Sequence, residues 1–349
     1  MAFESILGHE IPKRMITAAI ERDRIAHAYL FQGPEGVGKR TLAVRFAAAI
    51  LRGGLVDEDD ALERRVVGDN HPDVVLFECE EGSDSVGVER VRELETEIER
   101  RPFEAPRRVF ILDQCHRMTE SASNALLKTL EEPPPGTVMI LIADRLRGIP
   151  RTVLSRCQPV QFHGLDRDAV RAHLAGLDDI EDADTGWLAA ASEGSIGGAL
   201  RLAREGWGEV RTDLAERLTR PGGFGLDAAA MLSTACRKPA ANNAEARGRI
   251  RTAIQLLSLI ARDALVVASS GDEEGLYNPD LLSRIRPIAA GIGPEGALSL
   301  LQATFEAVEW LERNAHLELV LESLSLRVDE ILAQTHRIPV KETGRTGRS

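Results

Sequence analysis

The segment GPEGVGKR, residues 33–40, constrains the fold of this chain more than any other stretch. The apolar run before it, HAYLFQG (27–33), predicts a buried strand, and KRTLAVRFAAAILRG (39–53) after it predicts a helix. Strand, GxxxxGK loop and helix in this order form a phosphate-binding loop, in which backbone amides and the helix N-terminus hold phosphates and the lysine neutralises their charge. The residues that match this motif are Gly33, Gly36, Gly38 and Lys39.

One position of the loop departs from the motif. The residue after the lysine normally carries a hydroxyl that binds Mg²⁺, but this chain has Arg40, whose guanidinium has no lone pair to offer. Thr41 follows, yet one residue further along a helix its side chain points about 100° away. The sequence therefore predicts a phosphate-binding loop whose metal site is defective.

A second nucleotide motif, an apolar strand that ends in an acid, occurs at VFILDQCH (109–116). Asp113 fills the acidic position, where it would contact the water shell of a metal; a carboxylate that only caps the next turn is the structural alternative. Hydrolysing proteins place glutamate next, to activate water. This chain has Gln114, which can orient water but does not readily accept its proton.

The rest of the chain separates into a strand-containing half and a helical half. Apolar runs at 73–79, 107–113 and 137–143 predict three more strands, and ESASNALLKTLEE (120–132) predicts a helix that stops at the prolines 133–135. The alternation predicts an α/β fold with a parallel sheet flanked by helices. Beyond residue 165 helical spacing dominates, with three short helices followed by longer ones from about 208.

Composition limits the function classes. A net charge of -12 argues against a chain that coats DNA by itself, because such binding depends on basic patches. The four cysteines form no CxxC pair and have no histidine partner at metal-ligand spacing, so we predict neither disulfides nor a metal site. No run of eighteen apolar residues or secretory signal is evident, so we expect a cytoplasmic protein without a membrane partner.

Two further segments identify a family. SASNALLKTLEEPPPGT (121–137) and VLSRCQ (153–158), together with LGHE (7–10) and HPD (71–73), resemble the clamp-loader branch of the AAA+ ATPases that serves bacterial DNA polymerase III. The resemblance implies an AAA+ domain at 1–165, a small three-helix lid domain at 166–207 and an all-α collar or oligomerisation domain at 208–336. The segment 314–328 looks like a collar helix, and the tail 337–349 is predicted to be disordered.

The resemblance also implies partners and a role for the SRC motif, Ser155, Arg156 and Cys157. Such subunits form a hetero-pentameric ring, here with gamma/tau and delta subunits, that opens the sliding clamp and places it on primer-template DNA. In these rings the SRC arginine reaches the ATP of the neighbouring subunit, and that role maps onto Arg156. A guanidinium suits it because its charge is permanent and its donors form a planar fork.

The departures from the active family pattern agree with one another. Ala143 stands where a sensor threonine or asparagine is expected at the end of strand 137–143, and Gly197 stands where active relatives place a sensor arginine. With Arg40 and Gln114, these changes predict a subunit that does not hydrolyse ATP but completes the neighbouring site. The loop then retains a phosphate or binds nothing, so no cofactor is expected.

The sequence also bears on two other roles, a contact with DNA and the binding of zinc. Lys128 either faces DNA in the ring or pairs with Glu131 or Glu132 at helical spacing. Many relatives insert a four-cysteine zinc module between the loop helix and the HPD segment, but residues 51–70 contain no cysteine. We predict that the chain binds no zinc.

Two other functions remain open at this point. An ATP-hydrolysing motor of the gamma/tau type would need Thr41 and Asp113 to suffice for Mg²⁺. An enzyme that acts on small metabolites, such as a nucleotide kinase, would need the lid and acceptor site of that class of enzyme. Nothing in the sequence resembles either. Enzymatic activity is not predicted from the residues, although a subunit of DNA polymerase III falls under that polymerase by classification.

Overall fold

The computed structural model of the 349-residue chain describes residues 3–55, 61–68, 70–78, 85–220, 222–225, 243–271, 273 and 275–334. The described residues fall into two compact units. The first lies within Met1–Val170 together with Glu193–Gly198, and the second within Arg171–Ser192 together with Ala199–Ser349. Residues 56–60 and the tail 337–349, which is predicted to be disordered, lie outside the described residues.

The first unit is built on one sheet of five parallel strands within its described residues, in the order β2-β3-β4-β1-β5. The predicted α/β fold class, with a helical C-terminal region, is thereby confirmed. The strand β5 was not anticipated from the sequence. The strands are β1 (Ala28–Gln32), β2 (Val74–Phe77), β3 (Arg108–Leu112), β4 (Thr137–Ala143) and β5 (Gln158–Gln161).

Helices cover both faces of this sheet, as the parallel arrangement requires. Successive residues of β1 point to opposite faces, so Tyr29 and Phe31 belong to one buried cluster and Leu30 to the other. Phe46 lies in the first cluster and Leu126 in the second. The helices are α1 (Glu10–Glu21), α2 (Lys39–Arg52), α3 (Ala61–Val67), α4 (Val88–Ile98), α5 (Glu120–Glu131) and α6 (Arg151–Leu154), with a 3-10 turn at Cys115–Arg117.

The described remainder of the chain is helical, as predicted. Short helices occur where the three-helix lid was expected, and longer ones follow; the domain boundaries at 165, 207 and 336 stay predictions. The helices are α7 (Arg167–Ala175), α8 (Asp182–Ala191), α9 (Ile196–Glu205), α10 (Trp207–Leu218), α11 (Asn243–Ser270), α12 (Leu282–Glu312) and α13 (Leu317–Gln334), with a 3-10 turn at Pro279–Leu281.

The long helices of the second unit pack on one another. Helix α11 packs against α12, and α12 against α13. Helix α12 is interrupted at Gly293, whose φ of 62° and ψ of -178° are not helical, just before Pro294. Residues 245–270 of α11 are long and apolar enough by composition to cross a membrane, but 44% of the apolar window is buried inside the structure. A core helix passes the same test, so the segment gives little support for a membrane span.

Candidate functional site

The phosphate-loop motif lies at the edge of the sheet where the strands end, the edge at which parallel α/β sheets bind ligands. Gly33 follows β1 with a φ of +149°, and a Cβ atom built there would lie 2.3 Å from the carbonyl oxygen of Phe162. Only glycine fits this approach. Gly38, with φ of 102°, then precedes the first residue of α2. The loop is thus built as the sequence predicted.

The LGHE segment supports the loop from the other side. The His9 ring donates a hydrogen bond from Nε2 to the Val37 carbonyl oxygen at 2.7 Å, and it contacts the Phe162 ring at a centroid distance of 4.9 Å. Burial lowers the pKa of His9, so its imidazole is neutral near pH 7. This segment therefore fixes the backbone of the loop.

Lys39, the motif lysine, is 4% exposed and fully paired. Its Nζ donates to the carbonyl oxygens of Gly33 at 2.7 Å and Pro34 at 2.5 Å, and to Asp144 Oδ1 at 2.8 Å. An ammonium has three protons, so these three acceptors use all of them. Asp144 was missed by the sequence reasoning.

Arg40 lies where the motif would have its metal-binding hydroxyl, and it pairs with carboxylates. Its guanidinium contacts Glu78, and Nη1 lies 3.9 Å from Asp113 Oδ2. Thr41 is exposed. Burial raises the pKa of Asp113, and the charge of Arg40 opposes that rise. Arg40 thus places a positive charge beside the acid that a metal would otherwise approach.

The side-chain oxygen of Gln114 is already in a hydrogen bond. The residue adopts a left-handed backbone with φ of 53°, and its backbone N–H donates to Asp113 Oδ1 at 2.8 Å. Its side-chain oxygen accepts from Arg117 Nη1 at 2.6 Å. The glutamine side chain is therefore already used within the turn that follows β3.

The two positions where the family pattern would have sensor residues, Ala143 and Gly197, have different surroundings. Ala143 is fully buried in β4 opposite Gln32, whereas the next residue, Asp144, presents the side chain that meets Lys39. Gly197 packs directly on the loop: its N–H donates to the Gly36 carbonyl oxygen at 3.0 Å. A Cβ atom on Gly197 would lie 3.1 Å from Gly36 Cα. A larger residue at 197 would therefore press on the loop.

A magnesium nucleotide does not fit these residues. All three N–H groups of the Lys39 ammonium already donate hydrogen bonds, to Asp144 and two carbonyl oxygens, so a phosphate oxygen would have to displace one of these acceptors. Asp113 faces Arg40 rather than an open metal position. Among the described residues, no group of three or more His, Cys, Asp or Glu is arranged to hold a metal ion. The absence of zinc and of any other cofactor stays a prediction.

The SRC motif divides into supporting and outward-facing residues. Cys157 is buried, and burial raises its pKa to about 12, so its thiol is protonated and inert at neutral pH. Ser155 Oγ donates to the Thr152 carbonyl oxygen at 3.1 Å. Arg156 lies between them with 34% of its side chain exposed. Cys157 and Ser155 thus anchor the short segment that carries Arg156.

The guanidinium of Arg156 is held by groups at the protein surface. Nη2 donates to Glu131 Oε1 at 2.5 Å and Nη1 to the Thr152 carbonyl oxygen at 2.9 Å. Lys128, on the same helix as Glu131, is exposed, and no salt bridge joins it to Glu131 or Glu132, all three of which the structure describes. A role of Lys128 toward DNA stays a prediction.

Comparisons with known proteins show similarity to subunits of bacterial DNA polymerase III. A family model described as DNA polymerase III, delta subunit, matches residues 8–166. The delta-prime subunit of Bacillus subtilis DNA polymerase III is 27% identical over 91% of this chain and 95% of its own length. The tau subunit of the same organism is 32% identical over 57% of this chain, but the match spans only 37% of that protein.

A solved structure also aligns with the chain. It is a Thermotoga maritima protein related to the gamma subunit of DNA polymerase III, with 18% identity, coverage of 91% of this chain and 99% of that one, and a TM-score of 0.44. A score this low carries no weight here. The sequence matches confirm the predicted resemblance to clamp-loader proteins of bacterial DNA polymerase III.

Proposed function

Because this chain is related to the delta-prime subunits of bacterial DNA polymerase III, we propose that it is a non-hydrolysing subunit of a sliding-clamp loader that supplies Arg156 to a neighbouring ATP site. Its work is then mechanical: it senses a neighbour's nucleotide and transmits that state through the ring. We further propose gamma/tau and delta subunits as ring partners, the sliding clamp and primed DNA as partners of the whole complex, and a cytoplasmic location.

The observation that carries the proposal is the contrast between two cations. Lys39 is 4% exposed and donates to Asp144 and two carbonyl oxygens of its own chain. Arg156 is partly exposed in the turn that follows α6, paired with an exposed glutamate that water can readily replace. An arginine in this setting is available to phosphate oxygens of another molecule, which it binds with two parallel donors.

The alternative, an ATP-hydrolysing gamma/tau-type motor, has weaker support. It requires Lys39 free for phosphate and Asp113 free for a metal, and both are paired within the chain. The sequence match to tau also ends after about half of the chain, whereas the match to delta-prime extends through the helical part. A protein that uses the helical part to join a ring is the better fit to that pattern.

The test is a ring reconstituted from this chain with its gamma/tau and delta partners. We expect Arg156→Ala to lower ATP turnover at the neighbouring site and clamp loading by about tenfold or more, since an arginine finger contributes at least that much. Arg156→Lys should recover only part of the activity, because an ammonium lacks the planar fork.

Arg151→Ala is the matched control, since Arg151 is an exposed arginine at the start of α6, the short helix that precedes Arg156. It removes the same charge and should leave loading within about twofold of wild type. Unchanged turnover and loading in the Arg156→Ala ring, with normal assembly, would remove Arg156 from the mechanism and with it the proposed function.

A further inference from the structure

The phosphate loop contains an anion of its own. Asp144 Oδ1 accepts a hydrogen bond from Lys39 Nζ at 2.8 Å, and the lysine is 4% exposed. The carboxylate is placed by the sheet: Ala143, the last residue of β4, pairs with Gln32 of β1, and the next residue on each strand is Asp144 and Gly33. Asp144 therefore stands beside the first residue of the loop and opposite its lysine.

Among the described residues, Lys39 is the charged partner that the carboxylate of Asp144 contacts directly. His116 Nε2 lies 3.8 Å from Asp144 Oδ2, but burial lowers the pKa of His116 and keeps it neutral near pH 7. The His116 ring instead accepts a hydrogen bond from the Asp144 amide through Nδ1, at 3.4 Å. This contact fixes the backbone at 144 and helps to direct the carboxylate toward the lysine.

A polyphosphate would meet unfavourable charge at this position. Phosphate oxygens need the Lys39 protons that Asp144 and the loop carbonyls already accept, and they would approach the Asp144 carboxylate closely. At the mouth of the loop, Asp113 and Glu78 are two further carboxylates, and Arg40 lies against both of them. The lysine is thus neutralised from within the chain.

We propose that Asp144 is the residue that prevents this loop from binding nucleoside triphosphates, by acting as an internal substitute for phosphate on Lys39. The inference deepens the proposed function, on which it rests, because it names what keeps a non-hydrolysing subunit free of nucleotide. It also differs from the sequence reasoning, which traced the defect to Arg40, Gln114, Ala143 and Gly197. Those residues affect the metal, the attacking water and the sensors; Asp144 acts on the phosphate-binding lysine itself.

The experiment compares binding of ATP and of inorganic tripolyphosphate to the purified full chain by calorimetry, with and without magnesium. Asp144→Asn keeps the shape of the side chain and removes its charge. We expect this variant to bind both probes at least about tenfold more tightly than wild type, because a like charge next to the phosphate is gone. ATP should then raise its melting temperature, as a ligand of the native state does.

Two further variants make the result specific. Lys39→Ala combined with Asp144→Asn should lose the gained affinity, because the phosphate partner is missing. Glu132→Gln, a charge loss of the same size at the exposed end of α5, should gain nothing. A gain in Asp144→Asn that disappears in the double variant supports the proposal.

Three results would overturn the proposal. They are tight ATP binding by the wild-type chain, no gain in a folded Asp144→Asn variant, and an equal gain in Glu132→Gln. The second and third outcomes leave the role of Arg156 untouched, because clamp loading by the reconstituted ring measures it separately. If the Arg156→Ala ring loads clamps normally while Asp144→Asn clearly gains nucleotide affinity, the proposed function alone is contradicted.

Discussion

The phosphate loop and the SRC segment use their positive charges in opposite ways. Lys39 and Arg40 pair with Asp144, Glu78 and Asp113 of the same chain, so the loop is electrostatically satisfied without a ligand. Arg156 is held by Glu131 and a carbonyl at a surface where solvent and other molecules have access. The loop lysine is therefore enclosed by its own chain, whereas Arg156 lies where another molecule can reach it.

This difference separates the residues that shape the loop from the residues that would act on a ligand. The glycines of the loop pack closely against Phe162 and Gly197, and these contacts do not depend on a bound nucleotide. At the positions for the metal, the attacking water and the sensors the chain departs from the motif, although the acid at the end of β3 is kept. We propose that this combination preserves the loop while abolishing hydrolysis.

The largest effect on stability should come from Gly33→Ala. Its Cβ would lie 2.3 Å from a backbone oxygen at a φ of +149°, so we expect a loss of about 3 kcal/mol or more in the free energy of unfolding, by urea titration. Gly53→Ala is the control. Gly53 caps the C-terminal end of α2 at a φ of +70°, and no atom lies within 4 Å of the position of its Cβ. This substitution should cost about 1 kcal/mol. Equal small losses in both would mean that the loop is not needed as scaffold.

The HPD segment also stabilises the first unit, and a substitution of Asp73 tests this. The carboxylate is fully buried and accepts hydrogen bonds from the amides of Phe103, Glu104 and Ala105 at 2.6 to 2.9 Å. Burial alone would raise the pKa of Asp73, but these amides lower it below its ordinary value. We expect Asp73→Asn to lower the free energy of unfolding by about 2 kcal/mol at pH 7.

The pH dependence of Asp73 follows from the direction of that shift. A carboxyl whose pKa is lower in the folded chain stabilises it above the unfolded pKa of about 3.9, and the contribution disappears as the pH falls through the folded pKa. The difference between wild type and Asp73→Asn should therefore shrink below about pH 4. A difference that stays constant from pH 7 to pH 3 would contradict this assignment.

Sequence reasoning recovered most of the fold but only part of the site. The buried strands β1, β3 and β4 are continuous apolar runs and were predicted almost to their ends. Strand β5 was missed because only Val160 of its four residues is buried, so QPVQ carries no apolar pattern. The loop glycines and the SRC arginine could be named as candidates because their motifs are local, and their roles stay predictions.

The pairing of Lys39 with Asp144 could not be found in this way. It joins residues 105 positions apart, and it depends on β4 lying next to β1 in a particular register. The signal in the sequence was an acid directly after a predicted strand. It was missed because the sensor position of the family falls on the residue before it, Ala143. The pairing of Glu131 with Arg156 likewise needs the packing of α5 against α6.

At the SRC segment, a smaller effect is expected from Glu131→Gln. This change removes the charge that holds the Arg156 guanidinium, so we expect turnover of the reconstituted ring to fall about two- to fivefold because the arginine is less well positioned. Stability should change by less than about 0.5 kcal/mol, as is usual for an exposed ion pair. Glu132→Gln is the neighbouring control. A loss as large as that of Arg156→Ala would make Glu131 part of the site itself.

The smallest effect should come from Arg40→Ser, which restores the hydroxyl of the motif. The Arg40 side chain is 51% exposed, so its loss should change stability by less than about 1 kcal/mol. We expect no ATP turnover by the variant chain, because Lys39 remains paired with Asp144. Phosphate release that depends on magnesium would show that Arg40 alone had disabled the loop.

The most direct test compares Arg156→Ala with Lys39→Ala in the same reconstituted ring, with assembly and melting temperature checked for each. The measured quantity is ATP hydrolysis stimulated by clamp and primed DNA. Arg156→Ala should reduce the rate by about tenfold or more, whereas an assembled Lys39→Ala ring should keep the wild-type rate within about twofold. A ring that loses its activity with Lys39→Ala and keeps it with Arg156→Ala would contradict the division of roles between the two regions.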